Sequence, residues 1–108
     1  MNELLKFIEH NIELEEQFLP KFPEGTSQHS LLRNRIQALQ TARNLISGKG
    51  TPTREELEFA LPRVESIIHK MGKARDKYEP GSRNYKRFDP TVRAMEQVRT
   101  AILQVLEA

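Results

Sequence analysis

Residues 53–78, TREELEFALPRVESIIHKMGKARDKY, decide the fold. Leu57, Ala60, Leu61, Val64, Ile67, Ile68, Met71, Ala74 and Tyr78 recur at intervals of three and four, the period of one helix face and not of a strand. In front of them, Thr53-Arg54-Glu55-Glu56 has the form of a capping box, in which hydroxyl and carboxylate each satisfy the other residue's free backbone N–H. Pro62 interrupts the chemistry but not the phase. At roughly 100° per residue it falls on the polar face, where water can reach the Glu58 carbonyl it leaves without a donor. The pattern predicts one helix kinked at Pro62; the alternative is a break at Leu61 and five helices in all.

Working outward, Leu31, Leu32, Ile36, Leu39, Ala42, Leu45 and Ile46 share one side of a second helix. It starts near Thr26 or Ser27 and ends at Ser47, with Gly48 where left-handed helix ends place glycine. The first helix is predicted from about Glu3 to Leu19, capped by Asn2 and stopped by Pro20. Leu4, Leu5, Ile8, Ile12 and Leu19 form its main arc, with Phe7, Leu14 and Phe18 beside it. Asp89-Pro90 reads as the start of a fourth helix, whose Val92, Met95, Val98, Ile102, Val105 and Leu106 keep the same spacing. Nothing alternates with period two, so the chain offers no material for a sheet. The fold class is all-α: one domain over residues 1–108, a four-helix antiparallel bundle of up-down-up-down order.

Composition supports a single globular unit, with 37% hydrophobic and 30% charged residues, too apolar and too patterned for a disordered chain. The absence of cysteine excludes disulfides, thiolate nucleophiles and cysteine-bound zinc, and fits a reducing, cytoplasmic setting. No apolar run reaches the roughly 18 residues of a membrane span, and acids stand among the apolar residues of the N-terminus. A soluble protein, neither anchored nor exported, is predicted.

Charge is unevenly spread. Residues 1–25 hold two cations against six acids, residues 26–50 four cations and no acid, and residues 69–88 seven cations against two acids. Within the last segment, Lys70, Lys73, Arg75, Lys77, Arg83, Lys86 and Arg87 are interleaved with Tyr78, Tyr85 and Phe88. Three readings apply: a solvated helix terminus complementing the helix dipole, a surface for an acidic protein, or a site for phosphates and bases. No recognised nucleic-acid-binding signature accompanies the charge, so of the two binding readings a protein partner is preferred.

Three polar residues break the apolar arcs: Glu15 and Asn11 in the first helix and Arg35 in the second. A partly buried pair of Arg35 with Glu15, braced by Asn11, accounts for all three. Such a pair can fix the register of two helices; alternatively, Arg35 lines a polar pocket and holds an anionic ligand.

Catalysis finds little support. Gly48-Lys49-Gly50-Thr51 lacks the spacing of a phosphate loop and follows no strand. Glu65 and His69 lie one turn apart on a polar face, without the repeated inward carboxylates of metal bundles. Arg63 and His69 have a spacing found in some small helical ribonucleases, yet project about 120° apart on a straight helix. His10 and His29 belong to separate helices. No catalytic residue, metal ligand or cofactor is predicted. The expected role is a non-catalytic binding or regulatory module acting through residues 70–88, with nucleic-acid or phosphorylated-ligand binding there as the alternative. A homo-oligomer held by the strip of Phe7, Leu14 and Phe18 is a further possibility.

Overall fold

The computed structural model describes residues 3–108, which form four α-helices and no strand. These are α1 (Glu3–Phe18), α2 (Ser27–Ser47), α3 (Arg54–Arg75) and α4 (Arg83–Leu106), with a short 3₁₀ turn, Leu19–Lys21, after α1. The cap expected at Asn2 lies outside the described residues. No helix among them is long and apolar enough to cross a membrane.

The caps written in the sequence for α2 and α3 are present. The Thr26 hydroxyl accepts from the His29 N–H, and Gly48 closes α2 at φ 71°. Thr53 and Glu56 form the reciprocal capping box of α3. That helix runs through Pro62 to Arg75 as one element rather than two. It stops short of Tyr78, which is 40% exposed beyond its end.

The fourth helix differs from expectation. It begins at Arg83, before Asp89-Pro90, and Pro90 lies inside it. Two signals upstream outweigh the proline. Gly81, at φ 90°, turns the chain, and the Ser82 hydroxyl then accepts from the Tyr85 N–H as an N-cap. Tyr85, Lys86 and Arg87 are therefore helical residues, not loop residues.

Ile8, Leu57, Val64, Val92, Met95, Val98 and Ile102 are the largest fully buried side chains, so all but α2 supply one; α2 adds Ala38, Leu39 and Ala42 to the core. Its small residues let the neighbouring helices come close. The most extensive contact is between α3 and α4. Arg54, at the start of α3, donates to the Leu106 carbonyl at the end of α4 (3.1 Å). Arg75, at the other end of α3, meets Asp89 near the start of α4. These two contacts make α3 and α4 run in opposite directions. Leu31, expected on the buried side of α2, is instead 50% exposed, and Val105 of α4 is 46% exposed.

Because Pro90 has no N–H for the Lys86 carbonyl, Pro90→Ala should raise the urea midpoint, by a free energy on the order of 1–2 kcal/mol. Ser82→Ala should lower stability by about 1 kcal/mol. A neutral Pro90→Ala result would instead fit a helix that starts at that proline.

Candidate functional site

Two regions carry the polar chemistry. The first is the end of the bundle formed by the last turns of α3, the connection 76–82 and the first turns of α4. Lys70, Lys73, Lys77, Tyr78, Arg83, Lys86 and Arg87 are exposed there. None of these cations has an acid within ion-pair distance among the described residues. Arg87 stands over the Phe88 ring (5.7 Å), and Tyr78 lies parallel to Phe88 with centroids 6.4 Å apart.

Arg75 departs from this set, since it is spent within the fold. Its Nη1 donates to Asp89 Oδ1 (2.8 Å), its Nε to Asp76 Oδ1 (3.0 Å), and its guanidinium lies 5.4 Å from the Tyr85 ring centroid. Arg93 takes the second oxygen of Asp89 at 2.7 Å. Asp89 is thus the centre of a network joining α3 to α4, not a helix cap, and Tyr85 is a half-buried packing residue. The i,i+4 spacing of Asp89 and Arg93 was readable in the sequence. The Arg75 contact depends on α4 starting early, which places Asp89 inside the helix. The Arg75 hydrogen bond, with Arg93 adding, holds the Asp89 carboxyl below its ordinary range.

The second region lies between the helices. Arg35 Nη1 meets Glu15 Oε1 at 3.4 Å, with both side chains mostly buried. The pair borders a cavity of about 120 Å³ whose walls include Phe7, Leu39, Ile67, Met71 and Met95. Asn11 also lines it, but its amide donates to the Phe7 carbonyl of its own helix (2.9 Å), so the expected brace is not formed. Thr91, which the sequence reading did not single out, adds a hydroxyl. Glu15 Oε2 is buried without a hydrogen-bond partner. Burial raises the Glu15 carboxyl above its usual range, and the Arg35 charge and hydrogen bond offset only part of that.

Other candidates are not brought together. Arg63 donates to the Phe59 carbonyl (2.9 Å) and covers the Phe59 ring at 3.7 Å, so it is occupied within its own turn, while His69 is exposed. No group of three or more potential metal ligands occurs among the described residues. Comparison with models of known protein families, with curated proteins and with solved structures finds no match.

The two carboxylates act oppositely with pH. Folded Glu15 holds its proton more tightly than the unfolded chain, so its contribution to stability is present below about 4.5 and is lost as pH rises through the folded value. Urea midpoints of the natural chain should therefore fall relative to those of Glu15→Gln as pH is raised from 4.5 toward neutrality. Folded Asp89 holds its proton less tightly, so its stabilisation is present above 3.8 and is lost on acidification. Asp89→Asn should be less stable than the natural chain at neutral pH, and the gap should close in acid.

Proposed function

We propose that the protein is a non-catalytic binding module whose partner is another protein with an acidic surface, engaged through the basic end. The observation that carries this is the set of exposed cations, Lys70, Lys73, Lys77, Arg83, Lys86 and Arg87, that lack an acid partner while Arg75 and Asp89 tie their two helices together. A solvated surface does not need such fixing. A surface that presents charge in a constant geometry gains from it, because less side-chain and backbone freedom is lost on association. Charges of one sign steer an oppositely charged partner and suppress like-charged ones. Tyr78 adds an exposed ring of the kind that anchors interfaces. The absence of cysteine supports action in a reducing, cytoplasmic setting.

The test is capture from the source cell, with and without nuclease, by the natural chain and by Lys86→Ala plus Arg87→Ala. The expected result is a protein retained by the natural chain after nuclease and lost from the double variant. Capture that requires nucleic acid, with affinity falling steeply in salt, would transfer the site to phosphate binding. Equal capture by both chains would move the interface to another face.

A further inference from the structure

Arg35 belongs to two cavities. On one side is the interior one it shares with Glu15; on the other is a groove of about 190 Å³ lined by Phe22, Gln28, Leu31, Leu32 and Arg35. Phe22, Leu31 and Leu32 make the groove apolar, and Gln28 and Arg35 complete its lining. Phe22 and Leu31 stand at its walls 36% and 50% exposed.

The guanidinium itself is underused. It has five N–H donors in a planar fork suited to a carboxylate. One of them is engaged, by Glu15 Oε1 at 3.4 Å, a long contact for a charge-assisted bond. Opposite Arg35, α3 and α4 bring no charge to the interior cavity: they contribute Ile67, Met71, Thr91 and Met95. Among the described residues, Glu15 is therefore the one anion lining either cavity, and burial lowers the cost of its becoming neutral.

We infer that Arg35 anchors the head group of a small apolar carboxylate whose tail lies in the groove of Phe22, Leu31 and Leu32. The apolar walls favour a tail over a second charge, and a doubly charged phosphate would cost more to desolvate against them. The volume favours a free acid with a short chain or a single ring. The incoming carboxylate takes the unspent donors of Arg35, and Glu15 becomes its competitor rather than its partner.

Octanoate is the probe, titrated into the full ¹⁵N-labelled chain with octanol as the neutral comparison. Saturable shifts should concentrate in residues 15–35, with octanol binding more weakly. Arg35→Met should weaken octanoate about tenfold or more, the value of one charge-assisted hydrogen bond, while leaving octanol unchanged. Glu15→Gln should tighten octanoate, a result that a purely structural ion pair would not produce. The inference is overturned if octanoate gives no saturable shifts, if octanol binds as well, or if Arg35→Met leaves octanoate affinity intact. Should Arg35→Met fail to fold, the octanoate-to-octanol ratio in the natural chain and in Glu15→Gln decides the matter by itself.

Discussion

The apposition of α3 on α4 is the contact to which the other helices are added. Leu57, Val64, Val92, Met95, Val98 and Ile102 give it a fully buried apolar seam. Arg54 with the Leu106 carbonyl, and Arg75 with Asp89, close it at opposite ends. Burying one such apolar side chain stabilises by about 1.5–3 kcal/mol, and the seam holds several of them. The polar contacts at the ends join the start of each helix to the end of the other, as an antiparallel pair requires.

Local signals with a defined stereochemistry were legible in the sequence. The Thr53–Glu56 capping box, the Thr26 cap and Gly48 each stand where their residues predicted, because each depends on neighbours within one turn. Apolar spacing identified all four helices, including the passage of α3 through Pro62. The start of α4 was misread because two signals competed. Asp89-Pro90 has the residue types of a helix start, but Gly81-Ser82 comes first, and the helix, once capped, accommodates the proline within it. The same error concealed the Arg75–Asp89 contact, whose members lie 14 residues apart in sequence and belong to different helices.

Polar residues on apolar arcs were also informative. Glu15 and Arg35, singled out because they break the pattern, do meet between α1 and α2. Asn11 was noticed for the same reason and satisfies itself on its own helix, which a one-dimensional pattern cannot distinguish from a cross-helix contact. Thr91 gave no such signal, since a small hydroxyl residue is unremarked at any helix position. The exposure of Leu31 was equally hidden: its spacing matches the buried face of α2, yet it is 50% exposed and lines the groove beside Phe22.

The unequal contacts of α1 bear on how the chain reaches this state. Helix α1 rests chiefly on α2 and touches α4 only sparsely, whereas α3 and α4 are neighbours in sequence joined by the connection 76–82. The α3–α4 hairpin combines a short connection with the most extensive contact in the fold, which suits it to form early. With few contacts to α3 and α4, α1 is the element expected to detach first in partial unfolding, an opening that would carry Glu15 from the interior into water.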